Sequence, residues 1–343
     1  MKKKSGSRIG MTVLCVLLGL VLAVMLGGTI YAHHLMSLMN RVEIGSEETM
    51  SSEQIDQLLA EETVPPGETN APVMDENDIN WGEDTGKVLE TSENIVNIML
   101  VGQDAREGWG RSRSDSMIRV TFNKSQKTIT LTSFLRDLYV QIPGYQDNKM
   151  NSAYPVGGME LLGQTVETNF GVTVDGFVEV DFSHFADVID LLGGVDLELR
   201  ADEAAYINMT ADTWGLTAGM QHLNGSQALQ YSRIRHLDLD SDFSRTGRQR
   251  KVINALIEKF RNTKLTTLMG LLDDLLPMIT TDMTNAEIMD YATDLFPMLA
   301  DCTIVSQRVP ADGCYTTATI RGMSCVVADM DAARQLLAQT MGE

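Results

Sequence analysis

The chain has little with which to hold a soft metal. It contains four cysteines and five histidines in 343 residues, with no CxxC pair and no Cys/His spacing that folds a zinc site. It is also short of positive charge, with 27 Lys and Arg against 47 Asp and Glu and a formal net charge of -20. That balance excludes a general nucleic-acid binder, because phosphate affinity needs a net basic surface. No internal repeat is present, and only one acidic stretch is compositionally biased.

The charge that exists is unevenly placed. Residues 1–42 carry five Lys/Arg and no acid, whereas residues 43–93 carry fifteen acids against Lys87. Residues 9–32 form an uncharged run of 24 residues, enough to cross a hydrocarbon core that needs about 20 helical residues. Lys2, Lys3, Lys4 and Arg8 precede it, so residues 1–8 are expected in the cytoplasm and everything after His33 outside a cell membrane that the chain spans once. A cleaved signal peptide is the alternative, but the run is long for such a segment and no clear cleavage triplet follows it. Residues 33–93, acidic and carrying Pro65 and Pro66, read as an extended extracytoplasmic linker with a short amphipathic helix over 52–62.

The folded domain is expected over 94–343. The dense apolar run 95–101 predicts a buried strand. Strands over 117–122 and 128–134 flank a polar turn, and others are expected at 138–142, 176–181, 195–199 and 303–309. Helical spacing marks 159–169, 185–192, 226–234, 246–261, 266–276, 285–295 and 330–341, with Thr284 and Glu287 in capping-box spacing. This interleaving predicts a three-layer α/β/α sandwich around a mixed sheet. Strand-like runs at 315–321 and 323–327 form a candidate hairpin that makes Cys314 and Cys325 the most plausible disulfide pair, although spacing does not fix connectivity.

Three charged clusters are candidates for chemistry. Asp104, Arg106, Arg111, Arg113 and Asp115 lie in a loop between two strands, where two carboxylates with phosphate oxygens could hold Mg²⁺, or where a solvated loop would carry the same residues. Arg136 and Asp137 follow a strand end, with Lys149 further on. A guanidinium there suits two phosphate oxygens at once or a surface ion pair. Arg233, Arg235, Asp242, Arg245, Arg248, Gln249, Arg250 and Lys251 concentrate basic charge in an otherwise acidic domain. Arg245, Arg248 and Gln249 are expected on one helix face to bind an anion, the alternative being salt bridges with Asp238, Asp240 and Asp242.

In order, the segments NIMLVGQD (97–104), RSDSMIRVTFN (113–123), SFLRDLYVQIPGY (133–145), KMNSAYPVGG (149–158), VEVDFSHFADVIDLLGGVDLEL (178–199), LNGSQALQYSRIR (223–235) and DFSRTGRQRKV (242–252) resemble the LytR-CpsA-Psr family. The resemblance covers about 97–259, and residues 263–343 match only loosely. It implies a glycopolymer–peptidoglycan phosphotransferase that takes a glycan-phosphate from a polyprenyl-pyrophosphate carrier, for wall teichoic acid, capsule or a similar polymer. It implies Mg²⁺, with Mn²⁺ as a substitute, on Asp104 and Asp115. Arg113, Arg136, Arg233, Arg235, Arg245 and Gln249 would bind the pyrophosphate, with Lys149 and Asp242 in the same site. Leu135, Gln103 and Ser232 depart from the family's usual residues without removing a charged group.

Such chemistry needs charge neutralisation and alignment rather than an enzyme nucleophile. Arg136 and Arg245 are the expected catalytic arginines, and Asp242, or less favourably Asp137, is the candidate proton acceptor. A lipid-pyrophosphate hydrolase and a non-catalytic lipid-phosphate binder would use the same pocket. A transcriptional attenuator fits poorly with an external, acidic domain lacking a helix-turn-helix.

Overall fold

The computed structural model describes residues 31–43, 45, 51, 53–55, 71–83, 86–89, 92–103, 111–211, 214–235, 237–238 and 241–341, without the side chains at 241, 242, 265 and 296. The predicted span 9–32 falls outside these residues except at its last two positions. Among the described residues, no helix is long and apolar enough to cross a membrane.

The strands are β1 (Asn40–Arg41), β2 (Ile95–Gln103), β3 (Ser114–Asn123), β4 (Thr128–Phe134), β5 (Tyr139–Val140), β6 (Asn148–Lys149), β7 (Gly176–Asp181), β8 (Val195–Leu199), β9 (Gly219–Leu223), β10 (Thr280–Thr281), β11 (Thr303–Val309), β12 (Tyr315–Ile320) and β13 (Met323–Ala328). The α-helices that matter here are α1 (Ala153–Phe170), α2 (Phe182–Leu191), α3 (Ala201–Thr210), α4 (Gly225–Arg233), α5 (Ser241–Asn262), α6 (Leu265–Leu275), α7 (Asn285–Leu295) and α8 (Met330–Met341). Seven strands form one sheet in the order β1-β10-β7-β2-β3-β4-β11. β2 pairs antiparallel with β3 and parallel with β7, so the sheet is mixed, as expected.

Period-two alternation divides the core between the two faces of this sheet. Met99, Val101 and Met117 pack with Leu162 and Val166 of α1 and Leu337 of α8. Ile118 and Val120 face the other way with Ile253 and Ile257 of α5, while Ile98 meets Leu295, Ile288 and Tyr291 of α7. Burying so many aliphatic side chains, each worth roughly 1.5–3 kcal/mol, fixes the register of the central strands. Beside the sheet, α2 and α4 cross closely with the β8–β9 ribbon. A Cβ at Gly225 would lie 2.0 Å from the Ala186 carbonyl oxygen, so the crossing requires glycine there.

Several expectations change. The run 138–142 yields only the two-residue β5, paired with β6 in a side ribbon, and 195–199 pairs with the unforeseen β9 rather than joining the main sheet. Helix α3 was also unforeseen. The hairpin of β12 and β13 forms, but Cys314 and Cys325 are not bridged. Ala318 stands opposite Cys325, and Cys314 accepts from the Asp329 amide at 2.9 Å. Cys325 is thus four positions from facing Cys314, roughly 13 Å along the strand, beyond a disulfide's Cα reach of about 7 Å.

The expected linker is attached to the domain at each of several described places. β1 extends the main sheet, Val73 bridges to Thr319, and the Leu89 amide donates to Gly171 O at 2.7 Å.

Candidate functional site

The site forms where β2 ends and β3 begins. Their register shifts there, with Gly102 opposite Ser116 and Gln103 opposite Ser114, leaving Asp115 as the extra residue of a bulge. A bulge re-aims one side chain at a strand end. Asp115 thereby meets arginines from three segments rather than joining Met117 in the core. Its Oδ1 lies 3.0 Å from Arg136 Nη1, 3.4 Å from Arg235 Nη2 and 3.8 Å from Arg245 Nη1. Gln249 Nε2 donates to the Asp115 carbonyl at 3.5 Å.

Arg136 and Asp137 sit in the turn after β4, fixed by their own backbone. Arg136 O accepts from the Asn151 amide at 3.1 Å, and Asp137 O from the Val326 amide at 2.8 Å. The Asp137 carboxylate lies between Arg136 Nε at 3.4 Å and Lys149 Nζ at 3.1 Å. Burial pushes its pKa up, but the charges of Arg136, Lys149 and Arg245 outweigh this and hold it below the usual 3.8. A carboxylate so held is a poor proton acceptor. Its role is to position Arg136 and the buried Lys149.

Helix geometry separates the basic residues of α5. At 100° per residue, Gln249 lies about 40° from Arg245 on one side and Arg248 about 60° on the other. Arg245 and Gln249 face Asp115. Arg248 turns instead to α3, donating to Glu203 Oε1 at 2.8 Å and to Asp238, and to Ile234 O at 3.2 Å. The expected shared face therefore fails for Arg248, which takes the salt-bridge alternative. Arg233, exposed, lies over the Phe182 ring at 5.2 Å, beside the same region. Arg113 immediately precedes β3, two residues before Asp115. Asp104 and the side chain of Asp242 lie outside the described residues.

Next to this cluster, between the sheet and helices α2 and α5, opens a cavity with an empty volume of about 590 Å³. Leu100, Ile118, Val180, Phe182, Phe185 and Ile253 make it apolar, and Ser116, Ser232 and Gln249 supply its polar groups. A Cβ at Gly102 would come within 3.1 Å of the Ser116 Cβ and 3.6 Å of Phe182, so the missing side chain preserves room in the cavity.

Sequence reasoning also overlooked Glu179. Its carboxylate accepts hydrogen bonds from Tyr154 and from the Gln103 amide, and Gln103 Oε1 accepts from the Ser112 amide at 3.2 Å. This chain of contacts ties Gln103 and Ser112, on either side of residues 104–110, to β7. The alternation Val178-Glu179-Val180 was the available signal, since it puts Glu179 on the face opposite the cavity.

The LytR_cpsA_psr family model matches residues 66–341. The chain is 32% identical over 242 residues to polyisoprenyl-teichoic acid–peptidoglycan teichoic acid transferase TagU of Bacillus anthracis, covering 70% of this chain and 75% of that one. It is 37% identical over 169 residues to regulatory protein MsrR of Staphylococcus aureus, covering 49% of this chain and 50% of that one. Among solved structures, the LytR-CPS2A-psr family protein YwtF (TagT) with bound octaprenyl pyrophosphate lipid is similar at a TM-score of 0.58 and 26% identity, over 77% of this chain and 99% of that one. Since the family match runs through nearly the whole domain, bulge, arginine cluster and cavity included, the chain belongs to the LytR_cpsA_psr family.

Proposed function

We propose that this protein is a transferase that moves a glycan-phosphate from a polyprenyl-pyrophosphate carrier to a hydroxyl of peptidoglycan, with residues 9–32 in the cell membrane and the domain outside. The observation that carries the reading is the junction of an apolar cavity with converging cations. The cavity suits an isoprenoid chain, and Arg136, Arg235 and Arg245 meet at its polar end around the carboxylate of Asp115. The names of TagU and of the lipid-bound TagT support the same substrate class.

In the proposed reaction an acceptor hydroxyl attacks the phosphorus next to the sugar, its proton passes to a carboxylate, and the bond to polyprenyl phosphate breaks. The three arginines, already held by Asp115 and Asp137, turn their donors onto the pyrophosphate. They stabilise charge on the equatorial and leaving oxygens, which is most of what phosphoryl transfer requires. Lys149 keeps Asp137 ionised and Arg136 in place. Asp242, in the first turn of α5, is the candidate proton acceptor. An Asp242→Asn variant with unchanged turnover and pH profile removes that assignment.

Magnesium fits the donor set. Among the described residues, no three His, Cys, Asp or Glu side chains gather into a cage, but Asp115 offers a carboxylate oxygen that Asp104, pyrophosphate oxygens and water would complete. Mg²⁺ accepts such a mixture because it keeps several of its waters, and Mn²⁺ takes the same oxygen donors. A bound ion would neutralise charge on the pyrophosphate.

The test is transfer by the full chain from a labelled polyprenyl-pyrophosphate oligosaccharide to peptidoglycan fragments, with and without Mg²⁺. Label on peptidoglycan, lost in Arg136→Ala, is the expected result. Free sugar phosphate without labelled peptidoglycan makes the protein a hydrolase, and binding without turnover makes it a lipid-phosphate binder.

A further inference from the structure

We infer that the α5–α6 corner of the domain, together with residues 31–37, rests on the lipid bilayer and holds the wall of the apolar cavity against it. The inference rests on reading residues 9–32 as a membrane span. Residues 31–37 are helical, and Tyr31 Oη donates to Met269 O of α6 at 3.3 Å while His34 Nε2 lies 3.3 Å from Asp273 Oδ1. Residue 31 beside 269 and residue 34 beside 273 means that the two helices run side by side in the same direction.

Little slack separates this pair from the domain. The segments that follow the two helices, β1 and β10, pair in parallel in the main sheet. The Asn40 amide donates to Ile279 O at 3.0 Å and the Val42 amide to Thr281 O at 3.1 Å. Asn40 Nδ2 donates to Pro277 O at 2.9 Å, and Arg41 Nη2 to Asn285 Oδ1 at 2.6 Å. The domain is thus docked directly at the point where the proposed span ends.

Tyr31 is the penultimate residue of the uncharged run, so Met269 lies at the level where that run leaves the hydrocarbon. A helix rises about 1.5 Å per residue, which puts the first turn of α6 roughly 6 Å nearer the bilayer. Its chemistry suits that position. Residues 259–272 carry Lys259, Lys264 and Arg261, the last paired with Glu258 at 2.7 Å, and no acid of their own, in a chain of net charge -20. Lys264, Thr266, Thr267 and Met269 are exposed. A cationic turn beside exposed Met and Tyr fits the phosphate level of an anionic bilayer. Helix α2, which lines the cavity through Phe182 and Phe185, packs against α6. The cavity wall is therefore one helix from the membrane, and an isoprenoid chain can pass between bilayer and cavity along that wall.

The test uses the full chain with Cys15→Ser and Cys314→Ser, leaving the buried Cys302 and Cys325, and one fluorophore at Thr266→Cys or at Ser306→Cys. Ser306 lies on β11, the edge of the seven-stranded sheet opposite β1, roughly 29 Å from β1 at about 4.8 Å per strand. The protein is placed in phosphatidylglycerol–phosphatidylcholine vesicles whose headgroups carry a nitroxide. Loss of more than half the emission at 266, with none at 306, is expected. Equal quenching at both positions, or none at either, in protein that floats with the vesicles overturns the inference while leaving the span intact. Protein that does not float overturns the span and the inference together. A second measurement uses Lys264→Glu with Met269→Asp. KM for a long-chain carrier in vesicles should rise about tenfold while kcat, and both constants for a short soluble prenyl carrier, stay unchanged. A change with both carriers would mark a structural role and overturn the inference.

Discussion

Arg245 lies 3.8 Å from Asp115, in the company of Arg136 and Arg235, whereas Arg248, three residues along the same helix, is clamped between Glu203 and Asp238. Both are almost wholly buried, at 2% and 3% exposure. Around the first, Arg136, Lys149, Arg235 and Arg245 face Asp115 and Asp137. Around the second, Arg200 and Arg248 face Asp202, Glu203 and Asp238. The first cluster adjoins the apolar cavity through Gln249, whereas the second is closed within the protein by direct contacts. Access to a cavity, more than charge density, distinguishes the proposed binding site from a structural strut.

Mutation can break this contrast in order of size. Arg248→Ala should be the most damaging to folding, since it takes the direct ion-pair partner from the buried Glu203 and leaves a gap beside it. A loss of about 3–5 kcal/mol is expected, seen as a fall of roughly 6–12 °C in the thermal midpoint. Arg245→Ala should do the converse, lowering transfer about a hundredfold or more, near 2.7 kcal/mol, with a much smaller change in midpoint. If Arg245→Ala unfolds the protein and Arg248→Ala silences it without unfolding, the two roles have been exchanged.

Arg119 supplies a third case, a fully buried cation on the α8 side of the sheet. Among the described residues its hydrogen-bond partner is Thr340, at 3.0 Å. Burial pushes its pKa down to about 9. Replacing it with Met should raise stability by roughly 2 kcal/mol in chemical denaturation, because a poorly compensated buried charge is exchanged for apolar packing. A loss of stability would show that this cation is answered elsewhere.

The smallest effect concerns Asp137. Its folded pKa is depressed despite burial, through Arg136 and Lys149. Its contribution to stability is therefore present above the ordinary value of 3.8 and fades as pH falls through the lower folded value. Asp137→Asn should cost about 1 kcal/mol at neutral pH, and the gap from the parent protein should narrow below pH 3.8 in an acid titration. A gap that stays constant would mean that the carboxylate's charge does not matter.

Much of the fold was legible where burial imposes a period. The expected bounds 128–134, 176–181 and 303–309 coincide with β4, β7 and β11; β4 is buried along almost its whole length, whereas β11 is a largely exposed edge strand. Legibility failed where partners are distant in sequence. Nothing in 138–142 reveals that only two residues will find a partner, and nothing in residues 40–41 points to a strand 240 residues later. The site was readable as a set of charged residues at strand ends. Its geometry was not, because the bulge that releases Asp115 from the core face depends on how β3 pairs with β2. Likewise, the choice of Arg248 for the strut follows from where α3 packs, and α3 has too weak an apolar stripe to be foreseen.

The pairing of Asn40 with Thr280 also orders events in time. Until residue 281 has been synthesised, β7 keeps an unsatisfied edge; β10 closes it, and β1 then adds to β10 across most of the chain, a step whose entropic cost grows with the length of the loop. The edge nearest the proposed anchor is therefore completed late, with β11 alone among the described strands joining the sheet from further along the chain. A fragment begun at residue 94 would lack β1, and the β10 edge it leaves exposed would invite pairing between molecules.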